Sequence, residues 1–104
     1  MKYIVKVRIP NEPGNEQIRD PQFGMKMKQV LEEVKAEQAY FTTVDGYRGG
    51  YIVVNVTDAS QLPQIAEPFF LWLSARVDFI PVMTPQDLGN ATQGIQNAVK
   101  EYAH

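Results

Sequence analysis

The sequence predicts an α+β fold, with a four-stranded antiparallel sheet, two helices on one face and an extra C-terminal helix. Three observations carry this. Four short segments alternate apolar and polar residues with a period of two. Two longer segments between them bear apolar residues at helical spacing, and the order along the chain is β-α-β-β-α-β.

The first strand, KYIVKVRI (2–9), alternates strictly. Tyr3, Val5, Val7 and Ile9 share one face, and Lys2, Ile4, Lys6 and Arg8 the other. Pro10 ends it. Residues 11–20 read as a long connection, with Pro13-Gly14 suited to the centre of a type II turn. Such a length means a lid over a site or a surface loop, and the loop is the simpler reading. Asp20-Pro21 signals a helix start, with Asp as N-cap and Pro at the first position. Phe23, Met27, Val30, Leu31 and Val34 then form an apolar stripe opposite Lys28, Glu32, Glu33, Lys35 and Glu37. Met25 and Met27 raise the idea of an adaptable binding surface, but Met27 falls in the stripe and reads as core.

YFTTV (40–44) is the second strand, and Asp45-Gly46 a two-residue hairpin turn leading to YIVVNV (51–56). Gly49-Gly50 between them suggests a bulge, or a place where backbone nears a ligand. Ile52, Val54 and Val56 face away from Tyr51, Val53 and Asn55. Asp58 or Ser60 caps the next helix, which tolerates Pro63 in its first turn. Pro68 lies deep inside it and predicts a kink. FFLWL (69–73) is apolar all round, so more than one side should be covered. ARVDFIPVM (75–83) is the fourth strand, which Pro81 confines to a sheet edge or a strand end. Thr84-Pro85-Gln86-Asp87 opens a last helix, about 85–103, with Leu88, Ala91, Ile95, Ala98, Val99 and Tyr102 as its stripe. Gly89 and Gly94 weaken its first half.

Right-handed crossovers in this order give the ferredoxin-like arrangement, with the first and third strands central and both main helices on one face. Tyr3, Val5, Val7, Ile9, Ile52, Val54, Val56, Val77 and Phe79 belong under the helices. The opposite face holds Ile4, Lys6, Arg8, Tyr51, Val53, Asn55, Arg76, Asp78, Ile80 and Val82. That face is too apolar for full solvation and too charged for a dry core. Packing against a second copy accounts for it, with Lys6, Arg8, Asn55, Arg76 and Asp78 at the interface. Asp78 is then expected to pair with Lys6 or Arg8 of the neighbouring strand.

The 104 residues suffice for one domain, 1–104. A net charge of −2 excludes an electrostatic footprint for nucleic acid or anionic membrane. No apolar run approaches a membrane span, and residues 1–9 alternate unlike a signal peptide, which places the chain in the cytoplasm. Without Cys, thiolate nucleophiles and Cys-ligated metals are excluded. The single His104 is the last residue, where a frayed end is a simpler reading than a ligand or base. No metal-ligand spacing, phosphate-cradling loop or cofactor motif is present.

The element order together with YFTTVDGYR, AEPFF and PVMTPQDL resembles the dimeric α/β-barrel superfamily, and within it a small bacterial family of unassigned function. The similarity spans residues 2–88. It implies a homodimer formed by sheet-to-sheet packing and a pocket between sheet and helices in each subunit. Members use that pocket for isomerisation, polyketide cyclisation, cofactor-free oxygenation or haem chemistry. The haem-binding members offer a His ligand that this chain lacks away from its terminus.

The residues themselves offer few candidates for chemistry. Glu67, beside Pro68, would act as a proton-transfer group if the kink turned it into the pocket, and would otherwise be a solvated Glu or a partner of Arg48. Tyr40, Tyr47, Tyr51 and Trp72 could line a pocket for a planar ligand or simply pack. Arg48 could hold a carboxylate or phosphate, or simply be solvated. Two functions follow: a cofactor-independent isomerase, cyclase or oxygenase, or a non-catalytic protein of ligand binding or assembly.

Overall fold

The computed structural model describes residues 1–103; His104, the candidate frayed end, lies outside them. Strands β1 (Lys2–Ile9), β2 (Gln38–Val44), β3 (Tyr47–Asn55) and β4 (Arg76–Pro81) form one antiparallel sheet in the order β2-β3-β1-β4. The predicted ferredoxin-like topology is therefore present, with β1 and β3 central and Pro81 closing an edge strand. Helices α1 (Asn11–Ile18), α2 (Phe23–Glu33) and α3 (Gln61–Leu73) join the strands, and α4 (Pro85–Asn90) and α5 (Thr92–Tyr102) follow β4.

The face assigned to the helices is the buried one. Val5, Val7, Ile9, Ile52, Val54 and Val56 pack with Met27 from α2, with Val34 at its C-cap, and with Ile65, Phe69 and Leu73 from α3. Tyr3, Val77 and Phe79 complete this layer, Tyr3 meeting Phe79 edge to face at 6.1 Å. Among the described residues no polar or charged residue is buried, so the core is held by apolar burial alone.

Turn chemistry fixes the connections. Asp45 and Gly46 both take positive φ, 51° and 82°, as a type I′ hairpin requires, so Val44 pairs directly with Tyr47. Helix α2 ends with Lys35 left-handed, and Ala36 N–H donates to the Leu31 carbonyl at 3.0 Å, the Schellman closure. Neither candidate caps α3 with its side chain; Asp58 holds the turn ahead of the helix. Its Oδ1 accepts from Ser60 N at 2.8 Å, while Gln61 Oε1 accepts from Asp58 N at 3.1 Å. Ser60 already has helical backbone and makes no side-chain cap.

Further local expectations are corrected. Residues 11–18 are helical beyond an extended Glu12, not a loop with a type II turn. Their pattern is weakly apolar, and the helix is tied down by tertiary contact. Gly14 is buried close against Ile9, and Gln17 accepts from Trp72 Nε1 at 3.1 Å. Asp20 does not cap α2, which starts at Phe23. Its carboxylate instead holds the preceding turn through Gln22 N and Lys26 Nζ, each at 2.9 Å. Gly49 and Gly50 form no bulge, since Thr42↔Gly49 and Phe41↔Gly50 continue the ladder one to one. Glycine is required there because a Cβ on Gly49 would overlap the Val7 carbonyl and come within 2.8 Å of Val44 Cγ2. The FFLWL girth is only half covered: Phe69 is 1% exposed, whereas Leu71 is 82% exposed. The C-terminal helix is two helices meeting at Ala91, where Thr92 Oγ1 donates to the Gly89 carbonyl at 2.7 Å. Helix α3, for its part, runs continuously through Pro68, whose missing N–H leaves the carbonyl of the exposed Gln64 without its helical donor.

The two sides of α3 should respond differently to truncation. Phe69→Ala is expected to cost about 3–5 kcal/mol in urea unfolding, and Leu71→Ala no more than about 0.5 kcal/mol. Equal losses would contradict the burial pattern. Asp58 supplies a pH signature. The Ser60 hydroxyl and backbone N–H lower its pKa from 3.8, so its contribution is fully present above that value and is lost as pH falls through the lower folded-state value. The stability gap between wild type and Asp58→Ala should therefore be open at pH 6 and narrow below pH 3 in chemical denaturation.

Candidate functional site

A groove of about 490 Å³ opens where the β2–β3 hairpin overhangs α1 and α2. Its volume falls within the range that takes a small organic ligand. Ile9 closes it from β1, Ile18 from α1, Phe23 and Met27 from α2, and Phe41 from β2. An adjoining hollow of about 360 Å³ shares Phe23, Met27 and Phe41 and continues along α2 past Gly24 to Lys28 and Leu31. Together they form an apolar trough between the helix face of the sheet and α2.

The trough exists because side chains are missing from the sheet beside it. Phe41 lies opposite Gly50 in the ladder, and a Cβ on Gly50 would touch its ring at 3.4 Å. The aromatic ring thus leans over bare backbone rather than into a packed layer, and it remains 62% exposed. Thr42, Thr43 and Gly49 form the hairpin wall.

Arg48 is the one ionised side chain on the 490 Å³ groove. It pairs with Thr43 across the hairpin and faces Ile9 across β1. Its Nη1 donates to Asn15 Oδ1 at 2.8 Å. Asn15 is neutral, so it positions the guanidinium without satisfying its charge. Among the described residues no carboxylate lies in salt-bridge contact with Arg48. The site therefore offers a positioned cation at one end of an apolar trough. It contains no carboxylate, His, Cys or Tyr in its lining.

Of the side chains proposed from sequence for chemistry or ligand contact, only Arg48 reaches this groove; Gly49, whose backbone forms part of the hairpin wall, and Met27, which reads as core, line it too. Glu67 is exposed on α3 and is not part of its wall, so nothing couples its carboxylate to the groove. The proton-transfer role rested on a turn of the helix toward the sheet, and Phe69 occupies that inward position instead. Trp72 packs beside the groove, not in it: its ring meets Phe23 at 5.4 Å and its Nε1 donates to Gln17, tying α1, α2 and α3 together. Tyr40 and Tyr51 face each other across β2 and β3 on the other side of the sheet, and Tyr47 lies at the hairpin end beneath the Arg8 guanidinium at 5.0 Å.

That other side carries Lys6, Arg8, Asn55, Arg76 and Asp78, all on the uncovered sheet surface. Lys6 and Asp78 are register partners, yet they do not pair. Lys6 reaches Asp45 at 3.4 Å, and Asp78 accepts from Arg76 Nε at 3.1 Å. In a single chain these charges are part-exposed, so no desolvation forces neutralisation across the strands, and each takes the partner its length reaches. Among the described residues no three His, Cys, Asp or Glu side chains gather as a metal site, and no helix is long and apolar enough to cross a membrane.

Sequence reasoning missed the apolar walls of the trough. Ile18 lay in a segment read as loop, and Phe23 and Met27 were counted as plain core stripe. The readable signal was Phe41, whose face in β2 also carries Gly50 opposite it. The model of the DUF3303 family, a domain of unknown function, matches residues 1–96, and the chain belongs to that family. No curated protein is significantly similar to it in sequence.

Proposed function

For this DUF3303 protein we propose the binding of a small apolar carboxylic acid, with its tail in the trough and its carboxylate on Arg48. The observation that carries this reading is the pairing of one positioned guanidinium with a mainly apolar lining that Thr42 and Thr43 edge at the hairpin. An apolar tail leaves water against Phe23, Met27 and Phe41, and a planar carboxylate matches the two-pronged donor face of Arg48. Thr42 and Thr43 at the hairpin wall add hydroxyl groups for a second polar function on the ligand.

Binding is favoured over catalysis because the lining supplies no side chain that exchanges a proton near neutral pH. The trough also occupies the place, between sheet and helices, where dimeric α/β-barrel proteins hold their ligands. The same resemblance supports a homodimer joined through the uncovered sheet face. Ile4, Tyr51 and Val53 stand in the middle of that face, flanked by Lys6, Arg8, Arg76 and Asp78, a mixture suited to a partly wet interface. As a binding protein of the cell interior it would act on metabolites already in solution.

Trp72, the single tryptophan, packs on Phe23 and so reports on the trough. Titration with decanoate and with 3-phenylpropanoate should change its fluorescence, and Arg48→Met should weaken the carboxylates about 10- to 100-fold. The matching alcohols should be unaffected by the substitution. Carboxylates that bind equally well to both chains would sink the role of Arg48, and no binding up to millimolar ligand would sink the reading as a whole.

A further inference from the structure

Helices α4 and α5 stand apart from the domain that precedes them. No described residue of either is buried, and neither packs substantially on the sheet or on α1, α2 or α3. The molecule extends 59 Å by 27 Å by 21 Å. Its radius of gyration is 17.5 Å, against about 13 Å for a compact domain of this length. Yet the segment is built to fold. Thr84 and Asp87 form a complete capping box, with Asp87 N donating to Thr84 Oγ1 at 3.2 Å and Thr84 N to Asp87 Oδ2 at 2.9 Å. It is also amphipathic, with Leu88, Ile95, Val99 and Tyr102 all more than half exposed. An eleven-residue helix carrying an internal glycine is marginal in water unless its apolar stripe is covered.

We infer that α4–α5 is an arm that grips a second copy of this chain and completes the dimer interface. The inference rests on the dimer reading above and explains what that reading leaves short. Four strands spaced about 4.8 Å apart and about seven residues long present a face of roughly 450 Å². A stable interface takes about 800 Å² from each partner. The arm adds a strip about 27 Å long and 10 Å wide, which brings the total near that requirement. The arm also leaves the sheet at edge strand β4, so it springs from the rim of the uncovered face.

The polar side of α5 argues against a membrane as the occupant. Gln93, Gln96 and Asn97 dominate it, and the helix carries one Lys and one Glu. An interfacial membrane helix would present a basic row there. Uncharged amides suit a protein surface whose own charges are already paired, as Lys6 with Asp45 and Arg76 with Asp78 are here.

The test uses the full chain with Ile95→Asp and Val99→Asp combined. Both residues are about half exposed and bury nothing in their own subunit, so the body should keep its thermal midpoint. Sedimentation equilibrium from 1 to 100 µM should show a wild-type dimer and at least a 100-fold weaker dissociation constant for the variant. In parallel, amide protons of residues 92–102 should exchange slowly in wild type at high concentration and rapidly in the variant. A variant that dimerises like wild type would overturn the arm while sparing a dimer made by the sheet face. A wild-type chain that stays monomeric across the range would overturn both. Cosedimentation of a monomer with phosphatidylcholine–phosphatidylserine vesicles, abolished by the same substitutions, would overturn the arm in favour of a membrane contact.

Discussion

Burial of one side of β1 is the constraint on which the rest of the molecule depends. Val5 and Val7 sit at the centre of the sheet, flanked by strands on both sides, and together with Ile9 they are buried beneath the helices. Because side chains in a strand alternate, burying this side commits Ile4, Lys6 and Arg8 to the other. A one-residue slip would put lysine and arginine under the helices. Register, helix placement and the composition of the uncovered face therefore follow from a single alternation of eight residues.

The same sheet explains why a trough forms at one end. The β2–β3 hairpin is longer than the helices beneath it, and its glycines bring the neighbouring backbones too close for side chains. Absence of a side chain at Gly50 leaves a step in the helix-side layer, with Phe41 leaning over it. Arg48 stands at that step, and Asn15 on α1 orients it without neutralising it. Arg48 is itself exposed, so its charge stays solvated at little cost to folding and remains open to an anionic ligand of the kind proposed.

The two ends of the chain's logic meet at the open face and the arm. A core with no buried polar group stabilises the domain without help from either. Surface ion pairs such as Lys6–Asp45 add little, being worth well under 1 kcal/mol at this exposure. What the domain leaves uncovered includes Leu71 on α3, Ile80 on β4, and Ile95, Val99 and Tyr102 on α5. Folding and assembly are thus separable here: the helix-side core decides the first, and the uncovered surfaces bear on the second.

By itself the sequence determined the topology, the two faces of the sheet, the Asp45-Gly46 turn, the Thr84–Asp87 capping box and the edge position of Pro81. Each of these is local: a period of two, a period of 3.6, or a backbone angle that few residues accept. Only the tertiary structure decided that 11–18 is a helix, that Gly49-Gly50 continues the ladder, that Glu67 points to solvent and that Arg48 meets an apolar trough. Those outcomes depend on which distant side chain arrives, whether Trp72 on Gln17, the Val7 carbonyl on Gly49 or Asn15 on Arg48. No pattern within a single segment records them, because the contact energy belongs to pairs of elements brought together by the chain's return.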